Sequence, residues 1–316
     1  MQRRDWLRAG ALSAVAAVGG KVTNPVLAAS PIQPTYNNPR ANRIGVSTYS
    51  FWQFKNEAWR SIEKCIEQAA AMGFDAVEIL HRQMTDEKPA TLNRIKQTAF
   101  RLGLSLCGFS THQGFLSPDS AERKKNVELT RHQIELAYAL GIPTIRVNTG
   151  RWNTSKNFDE LMKNRGIEPP LPGYTEADGF PWVIDCLTAC LPIAERCGVV
   201  LGLENHWGLA RTPEGLLRIV REVNSPWLQI TVDTGNFLEE PYEKLDQIME
   251  KACLIQAKTY FGGGLWYSLD LDYVRIAQLA RKHHYRGFIS LEFEGKEDPL
   301  TGIAKSLDLL RKAFAG

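Results

Sequence analysis

The chain has no Cys-x-x-Cys pair, and no Gly-x-Gly-x-x-Gly follows its first predicted strand. The first absence removes the common signature of a structural zinc or a redox dithiol. The second disfavours a dinucleotide-binding sheet. Composition also excludes multi-span membrane insertion and disorder: 44% of the 316 residues are hydrophobic and 23% are charged, as in ordinary globular proteins. An excess of charge of one sign is nearly absent, with 38 Lys and Arg against 35 Asp and Glu. Arg3, Arg4, Arg8 and Lys21 against Asp5 account for the whole excess, so the chain after residue 29 is neutral. A neutral body has no general attraction for phosphate backbones, and no nucleic-acid partner is expected.

The N-terminus reads as an address. Residues 1–29 comprise a basic start (MQRRDWLR), a short small-residue apolar stretch and a cleavage-like end at Ala28-Ala29. Arg3-Arg4 followed by Asp5-Trp6-Leu7 resembles a twin-arginine export signal. That resemblance implies the export machinery as a partner, passage in the folded state and a periplasmic or otherwise exported product. Residues 30–42, rich in Pro and Asn, read as a linker. The six cysteines sit in apolar helix or strand patterns and are expected to be free, as small hydrophobes. Cys186 and Cys190 share one helix face.

Over 43–316, β-branched runs alternate with helix-period stretches. Strands are predicted at 43–49, 75–80, 104–110, 144–148, 199–205, 228–233, 253–258 and 288–294. Helices are predicted at 57–72, 90–102, 120–139, 181–197, 213–223, 241–252, 272–284 and 299–314. Alternation argues for a parallel α/β sheet, and eight units closing on themselves make a (β/α)8 TIM barrel; an open doubly wound sheet is the alternative. One connection, 149–179, is too long for a simple loop. It follows the fourth strand, so it would overhang the C-terminal mouth as a lid.

In a barrel, chemistry gathers at the C-terminal ends of the strands. The fifth strand ends LGLENHWG, placing Glu204 and His206 on one face by period two. The sixth ends in Asp233, the seventh carries Gln256 and Lys258 on one face, and the eighth carries Glu292 and Glu294. Carboxylates converging from three strands would repel unless a cation sits among them, and a hard divalent ion with oxygen ligands is the economical answer.

VVLGLENHWG, ITVDTGNF, QAK and SLEFEG together resemble the sugar isomerase/epimerase branch of the xylose-isomerase-like barrel superfamily, over about residues 43–314. The resemblance implies one divalent metal held by Glu204, Asp233 and Glu292, with a fourth ligand where the family has the His of H-x-K. This chain has Gln256 there. An amide oxygen suits Mn2+ or Mg2+, with Co2+ or Zn2+ as the alternatives. The implied reaction is isomerisation or epimerisation of an unphosphorylated carbohydrate. A proton is abstracted next to a carbonyl, the metal stabilises the enediolate, and Glu204 and Glu292 exchange protons with the substrate carbon. The same residues would serve a lyase that eliminates from a keto-sugar glycoside. A non-catalytic periplasmic sugar-binding protein is a further alternative. The related DNA-repair endonuclease needs a histidine-rich multi-zinc site, and the chain offers only six histidines. His206, Lys258, His112, Trp207 and Glu294 are the expected substrate-binding residues. Lys258 has a second reading, as a neutraliser of the carboxylates. Glu78, inside the second strand, reads as structural, and Trp152 and Trp266 as further aromatic walls or packing.

Overall fold

A computed structural model describes residues 41–315. The signal, its cleavage point and nearly all of the linker lie outside the described residues. Eight parallel strands form a closed barrel in sequence order. They are β1 (Ile44–Ser47), β2 (Ala76–Leu80), β3 (Ser105–Ser110), β4 (Thr144–Val147), β5 (Val200–Glu204), β6 (Leu228–Asp233), β7 (Ala252–Thr259) and β8 (Ile289–Phe293). Closure is made by β8 pairing with β1, with Ile44 opposite Ile289. The fold is therefore the expected TIM barrel.

The helices are α1 (Tyr49–Trp52), α2 (Ile62–Met72), α3 (Pro89–Arg101), α4 (Ser120–Leu140), α5 (Phe158–Lys163), α6 (Glu176–Cys197), α7 (Pro213–Val223), α8 (Pro241–Ile248), α9 (Tyr273–Lys282) and α10 (Pro299–Phe314). Local chemistry sets their ends. Thr212 Oγ1 accepts from Gly215 N at 3.2 Å, and Pro213 opens α7 where no backbone donor is needed. Asp272 Oδ1 accepts from Val274 N and Arg275 N to start α9. Gly198 closes α6 in the left-handed region, φ 65°, a conformation that a Cβ would penalise, and the chain turns there into β5.

Several helices differ from the sequence expectation, among them 241–252, which ends as a helix at Ile248 and continues as a 3-10 turn, Met249–Lys251. The 57–72 stretch breaks into a 3-10 turn, Glu57–Trp59, and then α2, because Ser61 Oγ accepts from Lys64 N and caps a fresh start. The sixth helix begins five residues before Pro181, because Asp178 accepts from both Thr175 N and Thr175 Oγ1. Helix and strand faces share one hydrophobic cluster in which Leu216, Ile219, Ile276, Leu203, Ile230 and Ile255 are fully buried. All six cysteines are free. Burial pushes the Cys65 and Cys190 thiols up to about 12 and those of Cys186 and Cys253 up to about 11.

The connection after β4 contains α5 and spans the C-terminal face. Its Arg165 donates to Leu238 O at 2.9 Å and pairs with Glu239 at 2.9 Å, both beyond the end of β6. Its Phe158 meets Trp266, from the loop after β7, edge-on at 4.7 Å. Gly166 (φ 77°) lies against the Trp207 ring beyond β5, where any side chain would collide. The insertion thus reaches three neighbouring strand ends and covers that side of the mouth.

Candidate active site

Period-two geometry points alternate residues of each strand into the barrel, and at the C-terminal rim these residues are polar. Glu204, Asp233, Gln256, Lys258, Glu292 and Glu294 are all buried. Register sets Asp233 opposite Gln256 and Lys258 opposite Glu292. Lys258 Nζ stands 3.3 Å from Asp233 Oδ2, 3.6 Å from Glu292 Oε2 and 3.5 Å from Glu294 Oε1. It also donates to Asn236 Oδ1 at 2.9 Å. In this geometry Lys258 offsets the charge of three carboxylates.

Glu204 is held from two sides. Asn148 Nδ2 donates to its Oε2 at 2.6 Å, and Asn236 Nδ2 donates to its Oε1 at 3.3 Å. Asn205, the next residue, ties β5 to β6 by exchanging hydrogen bonds with Asp233 N and Asp233 O at 2.7 and 2.9 Å. That pair of hydrogen bonds fixes the spacing of the β5 and β6 ends that carry Glu204 and Asp233.

Sequence reasoning missed Arg146. It rises from β4, is buried, and lies 3.5 Å from Glu204 Oε2 and 4.0 Å from Glu292 Oε1. Its Nη2 faces His112 Nε2 at 3.1 Å. The available signal was the alternation Thr144, Arg146, Asn148, which gives β4 a polar inward face.

Glu78, inside β2, is fully buried. It accepts from Ser110 Oγ, from Ser290 Oγ at 2.6 Å and from Gln256 Nε2 at 2.7 Å. Gln256 therefore spends its amide N–H groups across the barrel on Glu78 and on Ser110 Oγ, at 3.2 Å, and its Oε1 is buried without a hydrogen-bond partner. Asp233 Oδ2 is likewise without a hydrogen-bond donor. Burial pushes the Asp233 carboxyl up to about 7, against the pull of Lys258 and with Glu204 adding to the rise. Burial raises Glu292 as well. Burial also opposes ionisation of Glu204, but Arg146, His206 and Lys258 outweigh it and lower its pKa.

The expected histidines and aromatics sit around this cluster. His206 adjoins Glu204, and burial lowers its imidazole to about 4. Its ring is 5.4 Å from that of Trp207. Trp207 is buried beneath the insertion and meets Tyr267 edge-on at 6.3 Å, so it belongs to the wall of the mouth rather than to the carboxylate cluster. Trp152 packs against Trp182, and Trp266 is half exposed at the outer rim. His81, just after β2, is 2.6 Å from Glu87.

A sequence profile of the xylose isomerase-like TIM barrel family matches residues 66–313. The chain belongs to the xylose isomerase-like TIM barrel family. An uncharacterized protein of Methanocaldococcus jannaschii is 25% identical over 294 residues, covering 85% of this chain and 88% of that protein. The 3-keto-D-glucoside 4-epimerase of E. coli superposes with a TM-score of 0.67 at 19% identity, over 86% of this chain and 99% of that one. The D-psicose 3-epimerase of Clostridium cellulolyticum H10, solved with D-tagatose, superposes with a TM-score of 0.70 at 16% identity, over 87% and 100%. The structural neighbours of this family member thus include sugar epimerases.

The residues present suit a hard divalent ion by type and charge. Glu204, Asp233, Gln256 and Glu292 offer only oxygen donors, the chemistry of Mg2+ or Mn2+ rather than zinc. Two of those oxygens, on Asp233 and Gln256, lack hydrogen-bond donors. Five buried carboxylates, with Glu78 and Glu294, face only two buried cations, Lys258 and Arg146. Among the described residues, no group of three or more His, Cys, Asp or Glu side chains converges as a metal cage. The carboxylates are instead drawn toward Lys258 and Arg146.

Proposed function

We propose that this chain is a carbohydrate epimerase or isomerase that moves a proton at the carbon next to a carbonyl of an unphosphorylated keto-sugar. The observation that carries the reading is the cluster of Glu204, Asp233 and Glu292 at the ends of β5, β6 and β8, gathered around Lys258 and Arg146 in a xylose isomerase-like barrel. Glu204 and Glu292 exchange protons with the substrate carbon from opposite sides. Lys258, His112 and His206 orient sugar oxygens. Trp207 supplies an apolar wall, and Glu294 accepts from a hydroxyl. Glu204, Asp233, Gln256 and Glu292 would hold a divalent ion, Mg2+ or Mn2+. When bound, that ion supplies Lewis acidity to the carbonyl oxygen. Arg3-Arg4 supports export of the folded protein by the twin-arginine route.

The test is metal analysis of the purified protein combined with a screen of keto- and aldo-sugars in deuterated water. Incorporation of solvent deuterium at one carbon, with conversion to an epimer or isomer, is expected. Release of an alcohol from a keto-glycoside would replace epimerisation by elimination. Binding of a sugar with no exchange would leave a binding protein.

A further inference from the structure

His112 follows β3 at the mouth, and its environment dictates its protonation. Its Nε2 is 3.1 Å from Arg146 Nη2. A guanidinium has donors and no acceptor, so the nitrogen facing it carries a lone pair. The imidazole is then neutral and its proton is on Nδ1. That Nδ1 is buried without a hydrogen-bond partner, so a donor is left unsatisfied beside Arg146. Burial also lowers the imidazole pKa, and Arg146, Arg82, His206 and His81 push it the same way. Arg146 in turn is fixed on its far side by Glu204 and Glu292, and its Nη2 also donates to Thr111 O at 3.3 Å.

We propose that Arg146 is a positioning residue that locks His112 as the neutral Nδ1–H tautomer, and that this N–H donates to a substrate oxygen. The oxygen meant is the one that gains negative charge as the proton leaves the adjacent carbon. The donor role rests on the carbohydrate reading above; the tautomer does not. A neutral imidazole suits that role because it lends a hydrogen bond without bringing a second cation beside Arg146.

The experiment is long-range proton–nitrogen NMR on the 15N-labelled protein, with His112→Gln as the assignment control. His112 is expected to show a protonated Nδ1 and an unprotonated Nε2 from mildly acid to mildly alkaline pH. In Arg146→Lys, whose shorter side chain cannot reach Nε2, a mixture of tautomers is expected. A protonated Nε2 in the wild type, or an unchanged single tautomer in Arg146→Lys, overturns the positioning role. The wild-type spectrum decides the tautomer even if the variant fails to fold. On whichever sugar exchanges its proton, Arg146→Lys and His112→Gln are each expected to lose at least about tenfold in kcat, with KM changed by less than about threefold. An unchanged kcat in His112→Gln overturns the donor role. If no sugar exchanges in the wild type, the carbohydrate reading and the donor role fall together, while the tautomer result stands.

Discussion

Asp233 and Gln256 face each other across the β6–β7 register, and neither Asp233 Oδ2 nor Gln256 Oε1 accepts a hydrogen bond. If they help hold a divalent ion, the wild type binds about one ion per chain and Asp233→Ala abolishes it, as measured by elemental analysis after gel filtration. Stoichiometric metal surviving in the Glu204→Ala/Asp233→Ala double variant would remove these oxygens from the site. Gln256→His is expected to keep the ion but shift its preference toward zinc or cobalt, because imidazole is the softer donor. The same change withdraws an amide from Glu78, at a cost of roughly 1.5–3 kcal/mol in urea unfolding. An unaltered metal preference, or no loss of stability, counts against the respective half of this reading. Glu204, Asp233 and Glu292 were legible because a carboxylate at the end of an apolar run is visible in one strand at a time. Arg146 and the Gln256–Glu78 bond were not. The first hides between β-branched neighbours, and the second joins strands 178 residues apart.

At the level of elements, the approach to α3 is tied to α4 through one carboxylate. Glu87 Oε1 meets His81 Nε2 and Glu87 Oε2 meets His132 Nε2, each at 2.6 Å. Burial raises the Glu87 pKa, but the hydrogen bonds from His132 and His81 outweigh it and leave it below the usual carboxylate range. A carboxylate whose pKa is depressed by folding stabilises above its unfolded pKa, and that contribution fades as pH falls through the folded value. Glu87→Gln should therefore be less stable than wild type at neutral pH, and the gap should close below about pH 4, the ordinary glutamate range. Denaturant titrations at neutral and acid pH decide it, and a gap constant with pH would assign the loss to packing instead. Most elements were legible because their boundaries are local chemistry: Thr212-Pro213 opens α7 and Gly198 closes α6. The break before α2 escaped notice because the apolar periodicity runs on through Trp59 and Ile62, while Ser61 is a weak signal among polar neighbours.

For the whole molecule, closure of the barrel followed from eight alternating strand and helix units without a nucleotide-binding turn. How the insertion seats over the mouth did not follow, because Arg165–Glu239 and Phe158–Trp266 join loops with no periodicity. Five buried carboxylates around two cations make the barrel's stability sensitive to any further positive charge. An ion at a hundredfold excess over its dissociation constant would add about 2.7 kcal/mol. Chelation should accordingly lower the thermal midpoint, and magnesium or manganese should restore it. A midpoint unmoved after proven removal of the ion would show that Lys258 and Arg146 neutralise the cluster sufficiently. The free thiols add a constraint of another kind. Once the barrel has closed, Cys65, Cys107, Cys186 and Cys190 are shielded from oxidants. An unfolded chain entering an oxidising compartment would expose all six, and mispaired disulfides between distant strands and helices would trap it short of closure. The redox history of the chain is therefore written by the moment at which it folds. Folding in a reducing compartment before any transfer is the course that keeps the native thiols intact.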